Sequence, residues 1–292
     1  MIRQIKTINI IPMSDPYRVL FMGSPDFCIP TLDRLITHPK VKMMGVVSQP
    51  DKPKGRGKQL LPTPVKTWAI DHDIDVYCPQ SKDEVEEVVD QINPSLIVVV
   101  AYGMILSPSV TDQYLCINGH GSILPHYRGA SPIHASLLNN DNKTGITLIK
   151  ITDKMDAGNM LLTLKTDIDD NDNFETLHNR LALLCADAFA SYLDKPGPEI
   201  PQNHKEATYC TKLTTSDREL LSTDSNAVKW GKIRAFSPRP GAFIMTGGQP
   251  IKIIQARQEG NMLIPVLVQP PGKKKMSYDD YLRGGYPQIK GL

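Results

Sequence analysis

Long apolar runs are missing from the sequence: none approaches the roughly 18 residues that a membrane-spanning helix needs. An excess of one charge is also missing, because 33 basic and 31 acidic residues leave a formal net charge of +2. So small a net charge says little about partners, since a local basic patch and an even spread give the same sum. With 40% hydrophobic and 22% charged residues over 292 positions, the composition is typical of a soluble globular protein of one or two domains and predicts no membrane partner.

Paired cysteines are absent too. The five cysteines, at positions 28, 78, 116, 185 and 210, form no CxxC pair and have no metal-ligand spacing with histidine. This pattern predicts free thiols that pack in the interior of a protein from a reducing compartment. We therefore expect a cytoplasmic protein, with bacterial cytosol favoured over an organelle matrix.

No secretory pattern opens the chain. The first dozen residues are basic and mildly apolar, but they are too short and unpatterned for a signal peptide. Residues 1–15 are interpreted as an N-terminal extension. Two explanations stay open: a disordered extension, or a start assigned upstream of Met13.

Continuous apolar runs alternate with helical patterns through the first two thirds of the chain. Predicted strands cover 18–22, 41–48, 95–101, a segment that starts at 116, 144–151 and 160–166, and predicted helices cover 26–37, 83–92 and 174–193. Apolar runs without alternation indicate strands that are buried on both faces of a mostly parallel sheet. The pattern therefore predicts an α/β, Rossmann-like domain over 16–194.

A second unit follows a proline-rich break. Residues 195–206 contain Pro196-Gly-Pro198 and many polar residues, which is typical of a linker. From 207 to 292, short apolar runs are separated by Gly-Gly, Glu-Gly and Pro-Pro. These runs predict a small C-terminal β-barrel, similar to an OB fold.

The candidate reacting centre is the segment Asn118-Gly-His-Gly-Ser-Ile-Leu-Pro125. A strand ending here presents Asn118 and His120 on one face, because side chains two residues apart share a face. An amide and an imidazole can both stabilise negative charge on an acyl oxygen, and histidine can also move protons near neutral pH. Asp156, after a later strand, could favour the charged imidazole. A histidine that merely packs or caps is the alternative reading for His120.

The spacing of these residues resembles the 10-formyltetrahydrofolate-dependent formyltransferases, and residues 16 to about 290 resemble those that act on methionyl-tRNA. The shared pattern is Asn-x-His, then Ser-[Leu/Ile]-Leu-Pro, then an aspartate 36 residues after the histidine, here Asp156. The run from Val98 to Gly103 also matches. The resemblance implies that Asn118, His120 and Asp156 are catalytic and that no metal is used.

The same resemblance implies a direct transfer of the formyl group from 10-formyltetrahydrofolate to an amine. The folate is expected to contact two segments: Ser122, Ile123, Leu124 and Pro125, and Tyr102, Gly103 and Met104. Ser122 is then a folate contact and Cys116 a packing residue, because direct transfer needs no nucleophilic side chain.

The acceptor is suggested by two basic segments. Four basic residues lie within seven positions, separated by glycine and proline: Lys52, Lys54, Arg56 and Lys58. The sequence of this segment resembles the loop with which this family contacts tRNA. Such a loop suits contacts to phosphates, although a solvated surface loop would have the same charge pattern. A second cluster, Lys273, Lys274 and Lys275, lies in the predicted barrel and is consistent with contacts to a nucleic-acid backbone.

The resemblance therefore favours a monomeric enzyme whose partners are a folate and initiator methionyl-tRNA. Two other interpretations remain. Formyltransferases with the same centre act on glycinamide ribonucleotide or on amino sugars attached to nucleotides, and the centre alone does not distinguish these acceptors. A nucleic-acid-binding protein on a retired enzyme scaffold is the non-enzymatic alternative, although all three central residues are present.

Overall fold

The computed structural model describes residues 16–54, 59–260, 262–290 and 292. The predicted extension 1–15, together with Arg56 and Lys58, lies outside the described residues, and so does the side chain of Lys54.

Strands and helices alternate as the apolar pattern predicts. The strands are β1 (Tyr17–Gly23), β2 (Val41–Val47), β3 (Lys52–Lys54), β4 (Gln59–Leu61), β5 (Val76–Tyr77), β6 (Leu96–Val100), β7 (Cys116–His120), β8 (Arg128–Gly129), β9 (Lys143–Lys150), β10 (Met160–Asp167), β11 (Tyr209–Cys210), β12 (Ala242–Thr246), β13 (Gln249–Glu259), β14 (Met262–Gln269) and β15 (Met276–Ser277). The helices are α1 (Ile29–Ile36), α2 (Pro64–Asp71), α3 (Lys82–Ile92), α4 (Pro108–Thr111), α5 (Pro132–Leu138), α6 (Phe174–Asp194), α7 (Asn226–Phe236) and α8 (Tyr278–Arg283).

A seven-stranded sheet in the order β10-β9-β7-β6-β1-β2-β5 forms the centre of the first unit. Strands β5, β2, β1, β6 and β7 pair in parallel, whereas β9 pairs antiparallel with both β7 and β10. The predicted α/β domain with a mostly parallel sheet is therefore confirmed. Parallel strands of such a sheet direct their carboxyl ends toward one edge, where ligands bind in open α/β folds.

Each face of the sheet is covered by helices, which explains why the strands are apolar without alternation. In β1, Val19 and Phe21 pack in a core with α1, α2, α5 and α6. Leu20 and Met22, which point the other way, pack in a second core with α3 and α4. All four side chains are fully buried.

The long helix α6 begins with a capping box. The side chain of Asn173 accepts from the backbone N–H of Thr176, and the Thr176 hydroxyl accepts from the backbone N–H of Asn173. These two bonds satisfy amides that the helix itself leaves unpaired. None of the described helices is long and apolar enough to span a membrane.

The basic segment after β2 is more regular than a solvated loop. Lys52 pairs with Leu61 and Pro53 with Leu60 in the two-stranded antiparallel ribbon of β3 and β4. Leu60 and Leu61 are both exposed on this ribbon. Two of the predicted tRNA-contacting residues, Lys52 and Lys54, therefore belong to strand β3 of this ribbon.

The C-terminal unit contains a four-stranded antiparallel sheet in the order β12-β13-β14-β15. Its core combines sheet residues such as Ile253 and Val268 with Ile233 of α7 and Tyr281 of α8. The predicted second, strand-rich unit is thus present. It also contacts the first unit, because the buried Arg234 of α7 donates to the backbone carbonyls of Asp169 and Asp172.

All five cysteines are free. Cys28, Cys116 and Cys185 are buried, and burial raises the pKa of Cys116 and of Cys185 to about 12. Such thiols stay protonated and unreactive near neutral pH. This agrees with the expectation that Cys116 is a packing residue.

Candidate active site

A cavity of about 730 Å³ lies where β6 and β7 end. It is lined by the segment that follows β6, by the last residues of β7, by the start of α5 and by the loop between β9 and β10. Asn118, His120 and Asp156, the three residues of the predicted centre, all line it. The structure therefore brings together residues that the sequence separates by as many as 38 positions.

The polar groups of the three residues converge on one oxygen atom. The Oδ1 atom of Asp156 lies 3.4 Å from Nδ2 of Asn118 and 3.6 Å from Nδ1 of His120. The side chains of His120 and Asp156 are 6% and 14% exposed, so their interaction is only weakly screened by water. An amide donor and an imidazole nitrogen can therefore address the same negatively charged oxygen.

The other nitrogen of His120 is held by the backbone. Its Nε2 lies 2.8 Å from the carbonyl oxygen of Tyr127. A carbonyl oxygen can only accept, so Nε2 carries a proton in this arrangement. Nδ1, which faces Asp156, is consequently the ring nitrogen that is available for proton transfer.

Asp156 is fixed in an uncommon backbone conformation. Its φ is 50°, in the left-handed region that residues other than glycine seldom adopt. The carboxylate is held at its second oxygen, because the backbone N–H of Gly129 donates to Oδ2 at 2.8 Å. This bond leaves Oδ1 to face Asn118 and His120.

One of the two predicted folate segments, which follows β6, lines the cavity. Tyr102, Gly103 and Met104 are all lining residues. The hydroxyl of Tyr102 is buried and has no hydrogen-bond partner among the described atoms, and burial raises its pKa to about 12. A buried hydroxyl without a partner is costly.

The other predicted folate segment lies apart from the cavity. Ser122, Ile123, Leu124 and Pro125 are not among the residues that line it. Ser122 is fully buried, and its hydroxyl donates to the carbonyl oxygen of His126 at 2.6 Å. Leu124 is also buried, and its N–H donates to Thr147. In this structure the segment belongs to the connection between His120, the last residue of β7, and Tyr127, whose carbonyl oxygen accepts from His120.

Aromatic side chains of Phe27, His134, Phe174 and His178 line one part of the cavity. His134 of α5 stacks on Phe174 with ring centroids 4.1 Å apart, and His178 packs edge-on against Phe27. Burial, followed by the proximity of His178, lowers the pKa of His134 to about 4. His134 is therefore neutral near physiological pH and acts as an apolar wall.

The structure describes some of the basic residues that are predicted to contact tRNA. Lys52 is exposed at the start of the β3–β4 hairpin. Lys273, Lys274 and Lys275 are exposed on the connection between β14 and β15, where Lys275 donates to the carbonyl oxygen of Pro238. Among the residues that the structure describes, no group of three or more His, Cys, Asp or Glu side chains is arranged to hold a metal ion.

Two residues that support the site were not among the predicted site residues. Arg128 and Gln202 are both buried. The side-chain N–H groups of Gln202 donate to the carbonyl oxygens of Asp156 and Gly158, and its oxygen accepts from Arg128. Gln202 lies in the proline-rich stretch 195–206, where the pattern indicates only a linker.

The sequence comparisons agree with this geometry. The family model described as formyl transferase matches residues 17–192, which is more than half of the chain, and the chain belongs to this family. Within it, a methionyl-tRNA formyltransferase from Bacillus pumilus is 37% identical over 93% of this chain and 96% of its own length.

Solved structures share the same fold. A methionyl-tRNA formyltransferase from Clostridium thermocellum matches with a TM-score of 0.60 at 18% identity, over 87% of this chain and 98% of its own. HypX from Aquifex aeolicus, solved in complex with tetrahydrofolic acid, matches with a TM-score of 0.59 at 13% identity, over 92% of this chain and 47% of its own. At these identities the likeness concerns the fold alone.

Proposed function

We propose that this protein transfers the formyl group of 10-formyltetrahydrofolate to the free α-amino group of initiator methionyl-tRNA, which gives N-formylmethionyl-tRNA. The observation that carries the proposal is the convergence of Asn118 and His120 on a single carboxylate oxygen of Asp156 in a cavity at the ends of the strands. These three residues also match the residue types and the spacing of the formyltransferase motif in the sequence.

Asn118 and His120 stabilise the charge that develops during transfer. When bound, the folate supplies the formyl group. As the acceptor nitrogen attacks the formyl carbon, negative charge develops on the formyl oxygen, and donors already aimed at that point lower the barrier. Asn118 contributes Nδ2 and His120 contributes a protonated Nδ1, the two atoms that now face Asp156 Oδ1.

Asp156 and His120 also manage protons. The acceptor amine must lose one proton as the new C–N bond forms, and the departing nitrogen must gain one as the old C–N bond breaks. Asp156 lies within reach of His120 Nδ1, so the proton that the amine loses can pass through the carboxylate and the imidazole to the departing nitrogen. Because Nε2 stays bonded to the Tyr127 carbonyl, the ring keeps its orientation throughout.

No side-chain nucleophile is required. Ser122 is buried and donates to a backbone carbonyl, and the thiol of Cys116 is kept protonated by burial. Neither lines the cavity. Direct attack by the substrate amine, which needs only positioned donors and a proton relay, suits this set of residues better than a covalent intermediate.

The cavity walls suit a folate. Tyr102, Met104, Ile105 and Leu106 supply a largely apolar surface. Apolar walls with few polar groups are usual for flat heteroaromatic ligands. A protein of the same fold, HypX, was solved with tetrahydrofolic acid, which supports the choice of donor.

The acceptor is proposed from the relatives and from charge. The relative from Bacillus pumilus is named a methionyl-tRNA formyltransferase and matches almost end to end. The basic segment with Lys52, Lys54, Arg56 and Lys58, together with the lysines at 273–275, offers cations for the phosphates of tRNA. We propose that the enzyme works as a monomer in the cytoplasm.

The test supplies purified protein with 10-formyltetrahydrofolate and charged initiator methionyl-tRNA, and measures formylmethionine released from the tRNA. A parallel reaction offers an amino-sugar nucleotide as acceptor. We expect formylmethionine only in the first reaction. Formylation of the sugar nucleotide without formylation of methionyl-tRNA would contradict the proposed acceptor, and no transfer to either would contradict the enzymatic proposal.

A further inference from the structure

The side chain of Gln202 is 5% exposed, although it lies in a stretch whose composition is typical of a solvent-exposed linker. Its amide nitrogen donates to the carbonyl oxygens of Asp156 at 2.8 Å and of Gly158 at 2.7 Å. Its oxygen accepts from Nε of Arg128 at 3.1 Å and from Nη2 at 2.7 Å. All of its hydrogen-bonding capacity is used within the protein.

We propose that Gln202 is a positioning residue for Asp156, and that Arg128 holds Gln202 in place. The inference rests on the proposed function, because it assigns Gln202 a role through Asp156. Neither Gln202 nor Arg128 lines the cavity, so neither is expected to contact a substrate.

Asp156 depends on outside support because of its backbone. A non-glycine residue with φ of 50° stays there only when its surroundings hold it. Gln202 bonds to the carbonyl of Asp156 itself and to the carbonyl two residues later. A methyl group added at that position, Gly158, would lie 1.8 Å from the Lys150 carbonyl oxygen, so the loop packs closely against the end of β9.

The segment containing Arg128 is connected to both the carboxylate and the backbone carbonyl of Asp156. The residue after Arg128, Gly129, donates its N–H to Asp156 Oδ2, and the residue before it, Tyr127, accepts from His120 Nε2. The Arg128 side chain reaches Gln202, which bonds to the Asp156 backbone. A closed ring of hydrogen bonds therefore holds both the carboxylate and the main chain of Asp156.

Arg128 is itself well anchored. Its guanidinium also donates to Nδ1 of His204 at 3.0 Å and lies against Tyr209. Its backbone pairs with Tyr209 in the parallel contact of β8 with β11. The geometry of the catalytic carboxylate thus depends on Gln202, His204 and Tyr209, which follow the long helix α6.

The test is a double-mutant cycle on formyl transfer with the variants Gln202→Met, Asp156→Asn and the combination of both. Gln202→Met keeps the length of the side chain but removes its donors and its acceptor. We expect kcat to fall about 10- to 100-fold, the range for a reacting group displaced by a fraction of an ångström to one ångström, with each KM within about twofold of the wild type. In the Asp156→Asn background, Gln202→Met should lower kcat by less than about twofold further.

Two variants guard against a loss of folding. Gln202→Glu keeps an acceptor for Arg128 while removing both N–H donors, and we expect the same fall in kcat. Asn203→Ala is the matched control, because the Asn203 amide bonds only to Lys205 and Glu206 in its own turn and should leave kcat unchanged. Circular dichroism and thermal unfolding of each variant report the state of the fold.

A second measurement needs no turnover. The ring ¹⁵N signals of His120, assigned by their loss in His120→Asn, should move in the same direction in Gln202→Met as in Asp156→Asn. Unchanged His120 signals, wild-type kcat in a folded Gln202 variant, or additive losses in the cycle would each overturn the inference. A wild-type protein without formyl transfer would instead contradict the proposed function and leave the ¹⁵N comparison to decide the role of Gln202.

Discussion

Gly119 of β7 packs directly against Cys185 of α6: a methyl group added at the glycine would lie 2.7 Å from the cysteine Sγ and 3.0 Å from the ring of Phe189. The close neighbours of an added methyl group are side chains of α6, so this glycine allows the helix to lie against the strand that carries Asn118 and His120.

Gly119→Ala is therefore expected to destabilise the protein by about 1 to 3 kcal/mol, the usual cost of overpacking a filled core. Gly121→Ala is the matched control, because the added methyl group would be 3.4 Å from Ile133 and 3.5 Å from Pro132, which are ordinary contacts. Urea unfolding of the two variants measures the difference. Equal stabilities would show that α6 can move away from β7 at little cost.

Replacing the central residues should abolish transfer without unfolding the protein. His120→Ala and Asp156→Ala are each expected to lower kcat by about 10²- to 10⁴-fold, the range for losing a group that moves protons or stabilises charge. His126→Ala serves as a control, since His126 is an exposed histidine only six positions away and should keep wild-type activity. A wild-type rate in His120→Ala would remove the imidazole from the mechanism.

Acid should destabilise the protein partly through His134. Burial and the neighbouring His178 lower the pKa of His134 to about 4 from an ordinary value of 6.5. Between these two values the unfolded chain binds more protons than the folded one, so this contribution to stability is present above about pH 6.5 and is lost as the pH falls through about 4. His134→Gln, which does not titrate, should lose less stability on acidification.

The size of that difference is at most about 3 kcal/mol between pH 7 and pH 4, because one pKa unit corresponds to about 1.4 kcal/mol. The measurement is the free energy of unfolding of both proteins at several pH values, with His126→Gln as an exposed control. Parallel stability curves for the wild type and His134→Gln would mean that His134 is protonated as readily in the folded state as in the unfolded chain.

The basic segment 52–58 should bind tRNA through phosphate contacts. Arg56→Ala is expected to weaken the binding of tRNA and to reduce the slope of log K against log salt by about 0.7 to 0.9, the value for one lost phosphate contact. The KM for the folate should not change. Lys82→Ala, which removes an exposed cation at the start of α3, is the control. An unchanged salt slope in Arg56→Ala would place this side chain away from the tRNA backbone.

Much of the first unit follows from local pattern. The runs at 18–22 and 95–101 are apolar without alternation, and they become β1 and β6 in the middle of the sheet. Sequence spacing also locates Asn118 and His120 at the end of a strand and pairs them with Asp156. Such features depend on residues that are close together in the chain or on a motif of fixed spacing, and for this reason the sequence reveals them.

The support of the site does not follow from local pattern. Arg128 and Gln202 are 74 positions apart, and a glutamine among prolines has no periodicity that marks it as buried. The short contact of β8 with β11 likewise has only two residues in each strand, too few for an apolar pattern. Ser122 does not line the cavity, and the spacing of the motif does not reveal this placement.

The contact of β8 with β11 also bears on how this protein can be recombined with its relatives. An exchange of C-terminal units to transfer acceptor preference has an obvious junction at the prolines 196–198, where the composition changes. That junction would take Gln202 and Tyr209 from one parent and Arg128 from the other. A chimera joined after Cys210 would inherit both sides of the contact together, and it is the design that should retain activity.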